Sequence, residues 1–212
     1  MKKIIFITIL VIIFAGLALL SVSSLIKIPI FSNIFYSQKI SDLGVPISPE
    51  AIKSFSEKFG YTPLGQPTGD FMPGPKTIQI TDIEATSWIN ALCEEFPELC
   101  PLKNFQVKFE NGKIVSSAHI FEPIEADVTI FGEIARKDEK NIELKFEKVY
   151  LGNIPAPDAF ARELEKIAEN HINELLSNVG DLKIDYVEIL DREAVFIGIF
   201  PFWFPANEYI IL

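Results

Sequence analysis

The seventeen residues FQVKFENGKIVSSAHIF, Phe105–Phe121, decide the fold. Phe105, Val107 and Phe109 alternate with Gln106, Lys108 and Glu110, the period of a half-buried strand. Asn111-Gly112 then supplies two positions that accept positive φ, so the chain turns back as a hairpin into a second strand, Lys113 to Phe121. Ala126, Val128, Ile130 and Ile134 line one face of a third strand. After a polar turn at Asp138–Asn141, Ile142, Leu144 and Phe146 line a fourth. The phase breaks around Glu147-Lys148 and resumes with Val149 and Leu151, which points to a bulge or a strong twist. The pattern is an antiparallel meander.

Toward the C-terminus, Pro155 and Pro157 end the meander and open a helix predicted over 157–179. Phe160, Leu164, Ile167, His171, Leu175 and Val179 fall on one stripe at spacings of three and four, and Gly180 stops it. Two strands follow, Leu182–Leu190 and Ala194–Phe200. Apolar residues on both faces of the second predict a central or doubly covered strand. Toward the N-terminus, Thr77–Ile80 reads as a short strand. Thr81 and Glu84 form a capping box for a helix carrying Ile83, Trp88, Ile89, Leu92 and Phe96. Further upstream, Ser48-Pro49-Glu50 starts a short amphipathic helix with Ile52, Phe55 and Phe59, stopped by Gly60 and expected to dock on the domain, with membrane-surface binding as the alternative. Pro63, Pro67, Pro73 and Pro75 make the following stretch a linker.

The extremes of composition sit at the N-terminus. Ile4–Ile26 is an uncharged run of 23 residues, about 34 Å as a helix, enough to span a bilayer core of about 30 Å. Lys2 and Lys3 precede it and place the N-terminus in the cytoplasm. A cleaved signal peptide, with Ser21-Val22-Ser23 as its processing site, is the competing reading. The run exceeds the usual signal core of about 7–15 residues, which favours an uncleaved anchor. Residues 28–212 hold all 29 acids and 16 bases, a net −13. That argues against a nucleic-acid partner, which needs clustered Lys and Arg. The expected organisation is an anchor over 1–27, a juxtamembrane segment over 28–75 and an extracytoplasmic domain over 76–212. Its fold class is α+β: an N-terminal transmembrane helix, then a curved antiparallel sheet packed on one long amphipathic helix.

ITDIEATSWINAL (Ile80–Leu92), VYLGNIPAP (Val149–Pro157) leading into the long helix, and the terminal hairpin Leu182–Phe200 resemble small membrane-anchored bacterial envelope proteins of TULIP (tubular lipid-binding) type. The resemblance covers roughly residues 77–200. It implies a curved sheet wrapped on a long helix beside an apolar groove, and a role in handling envelope lipids. It brings no catalytic residues. The 28–76 segment and the aromatic C-terminal tail depart from the pattern.

Chemistry-bearing residues are few. Cys93 and Cys100 are the only cysteines. In a straight helix they would be about 10.5 Å apart, too far for a disulfide, but Pro97 breaks the helix between them. A disulfide is expected, with buried thiols as the alternative. His119 and His171 have no spacing that calls for a metal with Glu122 or Glu174, and no nucleophile motif or phosphate-cradling loop is present. The chain therefore reads as a non-enzyme without cofactor or metal. Its partners are the membrane and either a lipid or an envelope protein. The first reading is a lipid-binding module with a groove lined by Phe105, Val107, Val128, Ile130, Phe160 and Leu164. The second is an interaction protein with a closed core. An open groove favours the first and a filled core the second. The tail Phe200-Pro-Phe-Trp-Phe-Pro205 is expected to cap the open end of the core, with an interfacial wedge as the alternative.

Overall fold

A computed structural model describes residues 42–201 apart from 65, 70, 98–99, 101, 122–125 and 178. The expected membrane helix over 4–26 lies outside the described residues, as does the tail beyond Pro201. Among the described residues no helix is long and apolar enough to cross a membrane.

The chain is α+β, in the order α1 (Pro49–Phe59), β1 (Gly74–Thr81), α2 (Asp82–Glu95), β2 (Leu102–Glu110), β3 (Lys113–Ile120), β4 (Ala126–Arg136), β5 (Ile142–Leu151), β6 (Ile154–Pro155), α3 (Asp158–Ser177), β7 (Lys183–Ile189) and β8 (Glu193–Phe200). The strands form two antiparallel sheets where one was expected. The meander is the five-stranded sheet β2-β3-β4-β5-β6, and the terminal hairpin joins β1 in a three-stranded sheet, β1-β8-β7. Alternation in sequence says which face a residue takes but not which strand it pairs with. The short strand before α2 thus found its partner more than a hundred residues downstream, with Ile80 opposite Ala194. Strand β8 is central, as its sequence predicted. It is not covered on both sides, since Ile197 and Ile199 are exposed.

Local signals explain the elements. Ser48 caps α1 by accepting from Ala51 N–H, and Gly60 ends it at φ 85°. The Thr81–Glu84 capping box is formed in both directions. Asn111 and Gly112 take the positive φ values that the β2–β3 turn demands. Register slips between Phe131 and Gly132 opposite Lys148 and Phe146, leaving Glu147 as the extra residue. A second slip leaves Asp185 extra on β7, opposite Gly198.

The inner face of the five-stranded sheet is covered twice. At β4–β5, α3 packs Phe160, Ala161 and Leu164 onto Ala126, Val128, Val149 and Leu151. At β2, Val107 and Phe109 meet Ile189 and Ala194 of the smaller sheet. The stripe read for α3 was out of phase: Ile167 and His171 point to solvent. The inward set is Phe160, Ala161, Leu164, Ala168, Ile172 and Leu176. Small Ala161 and Ala168 let the helix lie close, and a stripe one position away satisfied the same periodicity.

Both edges of this sheet are closed by helix side chains. Along β2, Thr86 Oγ1 accepts from Val107 N–H at 3.0 Å, and Asn90 bonds both backbone groups of Phe105. Along β5, Ile142 N–H donates to Asn173 Oδ1 at 2.8 Å, Leu144 N–H to Glu169 at 3.1 Å and Phe146 N–H to Glu165. Four residues of helix rise about 6.0 Å and two residues of strand about 6.8 Å, so i, i+4 side chains keep step with alternate strand N–H groups. This explains the burial of Thr86 and Asn90 on α2; Glu84 and Ser87 are buried instead against α1 and its cap, where they bond Lys58, Ser54 and Ser48.

Candidate functional site

Six residues were expected to line one groove, and the fold divides them. Phe105 and Val107 belong to the cluster under the smaller sheet. Val128, Ile130, Phe160 and Leu164 do come together, packed with Val149 and Leu151. Val107 and Val128 are only 5% and 4% exposed. The four that meet fill the space between sheet and helix.

An apolar cavity lies at the other end of α3. Gly60, which ends α1, has no Cβ; one placed there would sit 2.7 Å from Phe71 Cβ. That close approach seats Phe71, from the stretch read as a linker, in the core at 6% exposure. Phe59 and Phe71 then face Leu176, Val179, Leu182, Phe200 and Pro201 around a cavity of about 80 Å³. A cavity of about 150 Å³ holds benzene, and drug-sized ligands occupy about 300–1,000 Å³. This one admits a short aliphatic group. Sequence reading missed it because its walls come from elements scattered from α1 to the end of β8.

The outer face of the five-stranded sheet was also missed, being read as the solvent side of alternating strands. His119 Nδ1 lies 2.7 Å from Asp127 Oδ1 across the β3–β4 pair. Phe121 meets the His119 ring edge-on at 4.9 Å, and Lys103 stands over the Phe121 ring. Phe131 and Tyr150 pack edge to face at 6.0 Å. Ser117 and Thr129, paired across β3 and β4, are 1% and 6% exposed. Aromatic residues at the nominally polar positions 121, 131 and 150 were the available signal.

Two carboxylates are held ionised by structure. Burial raises the Glu84 carboxyl, but hydrogen bonds from Lys58, Ser54 and Thr81 N–H outweigh it and leave its pKa below the ordinary value. The bond from Lys137, then that from Leu144 N–H, lowers Glu169. Lys58 Nζ stands 2.6 Å from Glu84, and Phe55 stacks on Trp88 at 4.9 Å, so α1 is docked on α2 as expected. Cys93 and Cys100 form a disulfide with Cα atoms 5.1 Å apart. The chain matches no family model, no curated protein and no solved structure.

Proposed function

We propose that this chain is an exported, single-pass membrane-anchored interaction module of the cell envelope, with a closed core and no catalytic role. The observation that carries it is the filled space under the long helix, where Val128, Ile130, Phe160 and Leu164 pack against one another. A carrier leaves its sheet open for cargo, whereas this sheet is covered by its own helix. Export is supported by the Lys2-Lys3 pair before the apolar run and by the Cys93–Cys100 disulfide, a bond of oxidising compartments.

Lipid binding is the second reading. The resemblance to TULIP-type proteins and the apolar cavity between Phe59, Phe71 and Leu176 favour it. The cavity accommodates a few methylene groups, so such a ligand would insert one chain end there. Native mass spectrometry of the full chain released from mild detergent separates the two. The interaction reading expects the bare polypeptide mass. A stoichiometric lipid adduct that Leu176→Trp removes overturns it in favour of the cavity. A reporter active only outside the cytoplasm, fused after Leu212, tests export.

A further inference from the structure

Two hairpin turns hold each other by their backbones. Asn111-Gly112, the turn between β2 and β3, sends the Gly112 N–H to the Ile189 carbonyl at 2.8 Å. The β7–β8 turn answers through Arg192, whose N–H donates to the Phe109 carbonyl at 2.9 Å. Arg192 takes φ 65° there, and its own carbonyl accepts from Asp82 N–H at 3.1 Å. Behind these bonds Phe109, Ile189 and Ala194 are buried together. The clasp joins the meander to the terminal hairpin, and breaking it parts the two sheets at this end.

The same glycine nitrogen is a latent nucleophile. In an Asn-Gly pair the Gly nitrogen can lose its proton and attack the Asn side-chain carbonyl carbon. A C–N bond forms, the side-chain nitrogen leaves as ammonia, and a succinimide ring results. Water then opens that ring at either carbonyl, leaving aspartate or isoaspartate, with no oxidant or cofactor consumed. A side chain after the Asn hinders ring closure. Gly112 has none, in the only Asn-Gly pair of the sequence, and even a Cβ there would meet nothing within 4 Å. Both residues are exposed to water. The bond to Ile189 opposes the reaction, because attack turns the Gly112 nitrogen toward Asn111 Cγ and takes its proton off the Ile189 carbonyl.

We propose that Asn111 is a deamidation site that the Gly112–Ile189 hydrogen bond keeps latent, so that loss of its amide marks chains whose terminal hairpin has left the meander. An open chain reacts and a closed one is spared. The isoaspartate product adds a methylene to a two-residue turn that needs positive φ at both positions. Strands β2 and β3 then no longer bring Gly112 back to Ile189, and the local opening becomes permanent. The new carboxylate also arrives beside Glu110, which already holds Lys108 at 2.6 Å. The inference goes beyond the interaction and lipid readings and stands whichever of them holds.

The test follows the full chain in detergent, in mildly alkaline buffer, both folded and unfolded in guanidinium chloride. Peptide mass spectrometry reads amide-to-acid conversion at Asn111, with isoaspartate resolved by chromatography, and hydrogen exchange reads the Gly112 amide. Folding should slow deamidation at least about tenfold and slow Gly112 exchange to a similar degree, because both proceed through the same opening. Ala194→Leu overfills the contact behind the clasp and should speed both reactions while far-UV circular dichroism is unchanged. Equal deamidation in folded and unfolded chain overturns the proposal. So does slow deamidation beside an unprotected Gly112 amide, which assigns the protection to the turn alone. A folded Ala194→Leu chain that exchanges Gly112 faster but deamidates at the wild-type rate overturns it as well. If that variant does not fold, the two wild-type retardations decide.

Discussion

Asn90 treats Phe105 as a neighbouring strand would: its amide nitrogen donates to the Phe105 carbonyl at 2.7 Å, and its side-chain oxygen accepts from Phe105 N–H at 3.2 Å. Both backbone groups sit at a sheet edge covered by α2, where water does not replace a lost partner. Asn90→Leu should therefore cost about 2–4 kcal/mol, two unsatisfied groups at about 1–3 each, partly offset by apolar burial. Urea unfolding of the domain measures it. A loss below about 0.5 kcal/mol would mean that the edge is solvated.

Acid should loosen the helix contacts through Glu84 and Glu169. Both folded-state pKa values lie below the ordinary 4.5. A depressed carboxyl contributes stability that is complete above its unfolded pKa and lost as pH falls through the folded one. Unfolding free energy should be flat from pH 7 to about 5 and fall below about 4.5. Lys58→Met removes the charged hydrogen-bond partner of Glu84 and leaves burial opposed only by the bonds from Ser54 and Thr81 N–H. The decline should then start at higher pH, with about 2 kcal/mol lost at pH 7. Denaturant titrations across pH measure both.

Reduction should weaken the domain without unfolding it at room temperature. The Cys93–Cys100 bridge closes a loop of eight residues, worth about 2.5 kcal/mol by chain entropy. Cys93→Ser with Cys100→Ser should lower Tm by several degrees, and reductant should then have no further effect. Equal Tm values for oxidised and reduced protein would contradict this.

Two glycines separate close approach from empty space. A Cβ on Gly198 would lie 1.9 Å from the Lys183 carbonyl oxygen, whereas one on Gly180 meets nothing within 4 Å. Gly198 pairs with Ile184 beside the Asp185 bulge, where the two backbones approach too closely for a Cβ. Gly198→Ala should cost about 3 kcal/mol by forcing the strands apart. Gly180→Ala should stay within about 0.5 kcal/mol. Thermal melts of the pair give the contrast.

Features of short range were legible in the sequence. Asn111-Gly112, the capping box at Thr81 and Glu84, the Ser48 and Gly60 caps and the Glu147 bulge each follow from residues within a few positions of one another. Strand partnership was not legible, because β1 and β8 carry no mark of each other beyond both being apolar. The phase of α3 was ambiguous between two stripes one residue apart, and Ala161 and Ala168 decided it through closeness rather than hydrophobicity. Val128, Ile130, Phe160 and Leu164 meet because they lie on the meander and on the helix that must cover it. What fills the space between them depends on how near the helix comes, and that distance is set by those two alanines. The burial of Thr86 and Asn90 on α2 was not legible, because their partners are backbone groups of β2, which no side-chain pattern announces.

The pairing of β1 with β8 has a consequence for biogenesis. Gly74 meets Phe200 and Thr81 meets Glu193, so the strand that centres the smaller sheet is the last of the described strands to be synthesised. Until it emerges, β1 and β7 have no common neighbour, and Val107 and Phe109 lack the Ala194 they pack on. If the chain crosses a membrane during synthesis, the meander arrives first and waits with that part of its apolar face uncovered. Long-range closure of this kind is slow relative to local hairpins. Truncation anywhere before Glu193 therefore removes more than one strand: it leaves a protein that starts folding and cannot close, a natural substrate for chaperones and proteases.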